Sequence, residues 1–363
     1  MTPKLLGIGT ALPETTVSQD ESAIYGELFL CDEFEETRRL LPKLYRMSGV
    51  DERRSVLFDR VDGELVQTLF TKSQSPDDKG PGMAQRMVLY AEHAPKLAIQ
   101  SSRQALTESD VKAASITHLV TVSCTGFAMP GIDLALIKAL DLPQTVQRTH
   151  VGFMGCHGAV NGLRIAAALA SADPKAVIMV CAVEICSLHS HYGNDREQIV
   201  ANALFADGSA AAVVAASDDP TKGLTSLAGF GSCLLPGTEE DMTWRLGDNS
   251  FEISLSAKVP SRIKAELKPW LHHWLDENSM TQDDIKSWAV HPGGQRILKA
   301  VSTALKLEAD ALAVSTQTLQ TIGNLSSPTV LFITKALLEK NPGQPLVMLA
   351  FGPGLVAETA LLK

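Results

Sequence analysis

The sequence predicts an α/β protein assembled from two duplicated halves, and three observations carry that expectation. Two continuous apolar runs, Ala176–Val183 and Ala210–Ala216, have the pattern of strands buried on both faces. Glycine-rich turns that lead into helices occur twice, at Gly152–Gly158 and at Gly323–Ser327. The spacing then repeats: Cys124 closes a strand and Cys156 opens a helix 32 residues later, while His291 closes a strand and Asn324 opens a helix 33 residues later. Equivalent loops of two βα units face one another at the carboxyl ends of strands, where open α/β sheets bind ligands.

Each element follows in chain order. Met1–Pro13 reads as a first strand and lacks the apolar core of a signal peptide. A helix is expected from about residue 84 to 107, a strand at Thr117–Val122, a loop at Ser123–Asp133 and a helix at Leu134–Leu140. Thr145–Val151, rich in β-branched residues, is the strand before the first glycine turn. Leu163, Ile165, Ala166, Ala167 and Leu169 belong to the Ala-rich helix after it. Asp218, Asp219, Pro220 and Gly223 form a polar connector, dividing the chain into halves 1–218 and 219–363. The second half repeats the order with a helix at Ser261–Glu277, a strand at Ser287–Val290, the loop His291–Gly294, a helix at Pro328–Glu339 and a strand at Pro345–Phe351. Pro328 suits a first helical turn.

Composition removes several function classes. A chain of 363 residues exceeds one simple core and suits two domains or two fused halves. A formal net charge of −9 argues against a dedicated binder of nucleic acid or anionic membrane, and no run reaches the length of a membrane span. The six cysteines show no CxxC spacing and no disulfide-framework density, so reduced thiols and a cytoplasmic location are expected.

Cys156 is the residue on which function turns. Three glycines within seven residues allow a sharp turn around it, and the following helix places its N-terminus, the positive end of the dipole, near the sulfur. A free thiol of pKa near 8.5 is only about 3% ionised at neutral pH. A helix N-terminus and a nearby imidazolium lower that pKa and make the sulfur a nucleophile. The residues alone leave two readings open, an inert buried cysteine and a nucleophile. Cys156, His291 and Asn324 at matched loops favour thiolate chemistry, a set that cysteine hydrolases also use.

Five ordered segments resemble the type III polyketide synthases, the chalcone synthase-like branch of the thiolase superfamily. They are Thr125–Asp133, Gly155–Gly158, Ala203–Ala211, His291–Gly294 and Gly323–Ser327. The likeness is dense from about residue 115 onward and weak before it. The closing segment Phe351–Gly354 follows Ala350 where the family usually carries another glycine, a methyl that would narrow the cavity wall. The resemblance implies a thiolase-like five-layered αβαβα sandwich. It implies that Cys156 is loaded by an acyl-CoA, and that malonyl-CoA is decarboxylated and condensed with the acyl group. His291 as imidazolium and Asn324 as a permanent donor would stabilise the thiolate and the enolate oxygen. Phe205 matches the gatekeeper phenylalanine, whose apolar face favours loss of CO₂. Cys124, Thr125, Cys186, His189 and Ser326 fall at cavity-lining positions. Met129 matches a residue that reaches the neighbouring cavity in a homodimer. CoA thioesters are substrates, and no metal or redox cofactor is implied.

The remaining candidates are weaker. His189, His191, His272 and His273 lack partners at metal-ligand spacing. Cys181 reads as packing, and Arg53 and Arg54 read as surface charge or as contacts to a CoA phosphate. Other superfamily condensing enzymes, of ketoacyl synthase or hydroxymethylglutaryl-CoA synthase type, fit the His-Pro-Gly-Gly loop less well. A Cys/His/Asn hydrolase is the alternative from a different class, and a non-catalytic assembly protein is disfavoured because all four key residues are present. An aliphatic acyl-CoA starter, giving an alkylpyrone or alkylresorcinol, is expected because Cys124, Cys186 and Ile253 offer weakly polar surface and no donor cluster awaits a phenol. Trp244 falls in the same region and could instead close the tunnel.

Overall fold

The computed structural model describes residues 1–219 and 221–363; Pro220 of the expected connector lies outside the described residues. Strand β1 (Thr2–Ala11) opens the chain. A cap follows, made of β2 (Thr16–Ser18), α1 (Gln19–Gly26), α2 (Glu35–Arg46), β3 (Glu52–Arg54) and the hairpin β4 (Asp59–Val61) and β5 (Glu64–Val66). The first half continues with α3 (Met83–Ser109), β6 (His118–Ser123), α4 (Ile132–Ala139), β7 (Gln147–Gly152), α5 (Gly158–Ala172), β8 (Val177–Ile185), α6 (Arg196–Leu204) and β9 (Asp207–Ser217). The second half comprises β10 (Thr225–Leu234), the hairpin β11 (Met242–Leu246) and β12 (Phe251–Leu255), and α7 (Val259–Glu277). It ends with β13 (Ser287–Val290), α8 (Gln295–Leu305), α9 (Ala313–Ile322), α10 (Thr329–Lys340), β14 (Leu346–Gly352) and β15 (Val356–Leu362).

Period-two alternation in uniformly apolar strands builds the layers. In β9, Ala210, Ala212 and Val214 face one core while Ala211, Val213 and Ala215 face another. In β14, Leu346, Met348 and Ala350 face the shared core, and Val347, Leu349 and Phe351 face a third. The shared core holds the apolar sides of α5 and α10 between the two sheets. Helices α3 and α4 cover the first sheet from outside, and α7 and α8 cover the second. The order is therefore helix, sheet, helix, sheet, helix, a thiolase-like α/β fold. In α7, Val259, Ile263, Leu267 and Leu271 recur at four-residue steps and are all fully buried, as an amphipathic helix on a sheet requires.

The strands run β13-β14-β15-β10-β1-β9-β8-β6-β7, the two sheets meeting where Lys4 and Leu5 of β1 pair with Ser226 and Thr225 of β10. β6 lies parallel to β7 and β8, and β13 parallel to β14. The loops after β6 and β13 therefore carry Cys124 and His291 at strand carboxyl ends. Two differences from expectation affect the site. β8 runs on to Ile185, which brings Glu184 into the sheet. The α1–α2 cap, which the sequence left without assigned elements, packs its Ala23, Leu41 and Tyr45 on Ile199 and Ala203 of α6. Ala350 is fully buried in the shared core rather than in a cavity wall, correcting that expectation.

Candidate active site

Cys156 lies in a single 3₁₀ turn, Gly155–His157, that feeds α5. Gly155 is essential to this turn: its φ is +66°, and a Cβ there would sit 2.5 Å from Pro353 Cδ. Two non-glycine residues adopt left-handed backbone beside the site, Phe153 at φ +59° and Ser326 at φ +57°. Such strain persists only where surrounding structure enforces it, and it concentrates at functional sites.

One largely apolar cavity reaches Cys156. Cys124, Thr125, Cys186, His189, Phe205 and Ser326 line it with Cys156, as do Trp244 and Ile253. Asn324 is 1% exposed, and its side chain helps to lower the pKa of the Cys156 thiol against the effect of burial. The Asn324 Oδ1 accepts from the Ser326 amide at 2.7 Å, which leaves its Nδ2 as the free donor. His291 is 1% exposed, and neither ring nitrogen has a hydrogen-bond partner. Buried ring nitrogens without a partner are uncommon and mark His291 as a candidate functional group. Beside His291 lies His157, whose Nδ1 is 2.7 Å from Asn161 Oδ1. Met129 takes no part in the cavity of its own chain: it is 94% exposed.

Charge in the site differs from the sequence expectation. Burial pushes the Cys156 thiol up to about 11. Bonds from Ser326 and Asn324 oppose the rise, and the Glu184 charge adds to it. Burial, then the His157 charge, pulls His291 down to about 3. The helix N-terminus thus does not by itself yield a thiolate, because desolvation outweighs it, and His291 rests as neutral imidazole rather than imidazolium. Burial disfavours either charge alone, and neither ring nitrogen of His291 is hydrogen-bonded to the sulfur, so a role for His291 as its base is an expectation that substitution tests. His291→Gln should therefore expose the burial-raised thiol. Alkylation at Cys156, followed by peptide mass spectrometry, should be slow at pH 7 and climb toward pH 11. Unchanged reactivity at pH 7 would remove His291 from this role.

Glu184 is the site residue that sequence reasoning missed. It is fully buried and accepts from the Cys124 amide at 2.9 Å, from the Thr125 amide and hydroxyl at 3.0 and 2.7 Å, and from Ser327 Oγ at 2.5 Å. It ties the loop after β6 to the loop carrying Asn324. A lone carboxylate within the apolar run around Val183 and Ile185 was the available signal. Burial raises its pKa, opposed first by the Ser327 bond.

An aromatic wall closes one side. Trp244 stacks on Phe251 with ring centroids 5.6 Å apart, and its Nε1 donates to Cys124 O at 2.8 Å. His189 Nε2 lies 2.6 Å from Thr125 O, and its Nδ1 accepts from the Phe251 amide at 3.2 Å. Burial holds His189 neutral, with a pKa near 3. Trp244, left between two readings by the sequence, is thus a fixed part of the wall. Arg53 is neither surface charge nor placed for a phosphate: it is 6% exposed and bound to backbone carbonyls. Arg54 donates to Glu14 O at 2.9 Å. Cys181 packs inside the first half's core. No group of three His, Cys, Asp or Glu residues among the described residues is placed to hold a metal.

Comparison with known proteins gives consistent matches. Residues 2–220 match the N-terminal domain, and residues 230–363 the C-terminal domain, of "Chalcone and stilbene synthases". "Alpha-pyrone synthesis polyketide synthase-like Pks18" of Mycobacterium tuberculosis is 31% identical over 98% of this chain and 89% of its own length. "3,5-dihydroxyphenylacetyl-CoA synthase" of Streptomyces toyocaensis is 29% identical over 99% of this chain and 90% of its own length. The crystal structure of PKS-I from the brown alga Ectocarpus siliculosus superposes with a TM-score of 0.91 at 29% identity, covering 100% of this chain and 98% of that one.

Proposed function

The chain belongs to the chalcone and stilbene synthase family, is a type III polyketide synthase and hence a condensing acyltransferase, and from that premise we propose that Cys156, His291 and Asn324 carry its chemistry on an aliphatic acyl-CoA starter. Family membership sets aside the hydrolase, the assembly protein and the other superfamily condensing enzymes. In loading, His291 takes the sulfur proton as Cys156 attacks the starter thioester and passes it to the departing CoA sulfur as the thioester C–S bond breaks, so that CoA leaves as the thiol. Malonyl-CoA then loses CO₂. His291 and the free Asn324 Nδ2 donate to the enolate oxygen, and the carbanion attacks the acyl group on Cys156, releasing the sulfur.

The observation that carries the reading is the single cavity joining Cys156 to apolar side chains. Leu28, Phe29, Leu57 and Phe70 line it together with Cys156 and Cys186, and polar groups such as Gln67 and Asn202 are the minority of its surface. Each buried CH₂ of an alkyl chain gains about 0.8 kcal/mol, whereas a phenol hydroxyl in such a space has to find a partner. The extended chain then closes to an alkylpyrone or alkylresorcinol, in keeping with the α-pyrone synthesis in the name of the mycobacterial relative. Steady-state kinetics with a long-chain and an aromatic acyl-CoA should favour the former by about tenfold or more, equivalent to about 1.4 kcal/mol. A tenfold preference for the aromatic starter would overturn the substrate assignment and leave the reaction class standing.

The exposed Met129, with Phe127 also half exposed beside it, supports a homodimer in which this loop meets the partner. Sedimentation should give a mass near twice 38.9 kDa; a fully active monomer would refute the dimer. The six cysteines are free thiols, which supports a cytoplasmic setting. No helix among the described residues is long and apolar enough to cross a membrane.

A further inference from the structure

Arg53 is a buried cation whose partners are carbonyl and amide oxygens rather than carboxylates. It sits on β3, opposite Val17 of β2. Its Nη1 donates to Asn202 O at 2.8 Å and to Phe205 O at 2.9 Å, and its Nη2 donates to Ala203 O and Gln19 Oε1. Three of these acceptors belong to the last turn of α6 and the residue that caps it. Helix geometry leaves such carbonyls without intrahelical donors, and a cation there also meets the negative end of the dipole. Gln19 is itself locked, its Nε2 donating to Tyr45 O, Ser48 Oγ and Ala203 O at 2.8, 2.7 and 2.9 Å.

The other side of Arg53 meets the second half of the chain. Its Cβ would stand 3.6 Å from a Cβ placed on Gly323, the left-handed residue (φ +75°) that ends α9 immediately before Asn324. Across this junction two backbone hydrogen bonds tie the strands of chain together. Asn324 N donates to Leu204 O at 3.0 Å, and Ala206 N donates to Asn324 O at 2.9 Å, forming the bridge between Phe205 and Asn324.

We infer that Arg53 is a positioning residue, fixing the Leu204–Ala206 segment and, through that bridge, the placement of Asn324 and Phe205 relative to Cys156. The inference rests on the reading of Asn324 as the enolate-oxygen donor. It predicts that disturbing Arg53 harms decarboxylation, which needs Asn324 in place, more than it harms loading of the thiol. Arg53→Lys supplies a point charge without the planar fork and cannot serve four divergent acceptors; Arg53→Met removes the charge.

The test compares two half-reactions in Arg53→Lys, Arg53→Met and Asn324→Ala, with thermal unfolding as the control for folding. Arg53→Lys should keep its unfolding midpoint within a few degrees. Its kcat for malonyl-CoA decarboxylation should fall about tenfold or more with KM little changed, in line with the cost of misplacing a catalytic group. Single-turnover acylation of Cys156 by a labelled starter should stay within about twofold of the parent. Should Arg53→Met fail to fold, Arg53→Lys decides alone. Equal losses in both half-reactions would reduce Arg53 to a general stabiliser, and undiminished decarboxylation would overturn the inference. Asn324→Ala separates the two failures: if it retains decarboxylation the site reading falls, and if it loses decarboxylation while Arg53→Lys does not, only the Arg53 inference falls.

Discussion

Cys156→Ala should abolish polyketide product, by roughly 10⁴-fold or more, because removing a nucleophile that acts in concert with its base costs most of the catalysis. The substitution removes the sulfur on the cavity wall whose ionisation Ser326 and Asn324 favour against burial. Cys124 and Cys186 also line the cavity, yet burial holds both thiols well above the ordinary range, and neighbouring carboxylates add to the effect. Neither should replace the lost nucleophile. Labelled acyl-CoA should modify Cys156 in the parent and no peptide in the variant. Decarboxylation of malonyl-CoA, in contrast, should continue at a measurable rate, since the groups assigned to the enolate oxygen remain. Labelling at Cys124, with full activity in Cys156→Ala, would sink the assignment.

Asn324→Ala should lower malonyl-CoA decarboxylation by about 10²- to 10³-fold, the usual cost of deleting one oxyanion donor. The Asn324 side chain is oriented by its own loop. Its Oδ1 is engaged by the Ser326 amide, so Nδ2 is the group turned toward the reaction, and an amide keeps that donor at every pH. The Ser326 backbone, held at φ +57°, is part of the same arrangement, and Ser327 anchors it to Glu184. Measured CO₂ release should therefore fall steeply in this variant while single-turnover acylation of Cys156 falls much less. If Cys156→Ala and Asn324→Ala lose decarboxylation equally, the separation of roles is wrong.

The residues proposed to react are legible in the sequence because their signals are local. The Gly155-Cys156 turn announces itself through glycine spacing, and the structure gives the reason in the positive φ and the contact with Pro353. The strands of the shared core are legible as well: apolar on both faces, they can sit only between layers. Even there the ends slipped. The strand expected at Ala176–Val183 continues to Ile185, because Glu184 finds five donors where an apolar run would be expected to stop at a charge. The cap was opaque for another reason. Its helices are short, and α2 buries only Leu41 and Tyr45, so most of the evidence for them lies in α6, on which they pack.

By itself the sequence determined the α/β class, the duplication and the candidate residues Cys156, His291 and Asn324, since hydrophobic period and turn chemistry act over a few neighbouring residues. Only the tertiary structure decided how those residues are charged and held. The proton state of Cys156 and His291 is set by burial, and burial is a property of everything packed around a group. Glu184 reaches Ser327 across 143 positions, and Arg53 reaches Phe205 across 152. Contacts of that range leave no periodicity in the chain: they exist because two halves and a cap fold onto one another, and they bring a lone carboxylate and a lone guanidinium to the backbone that each one fixes.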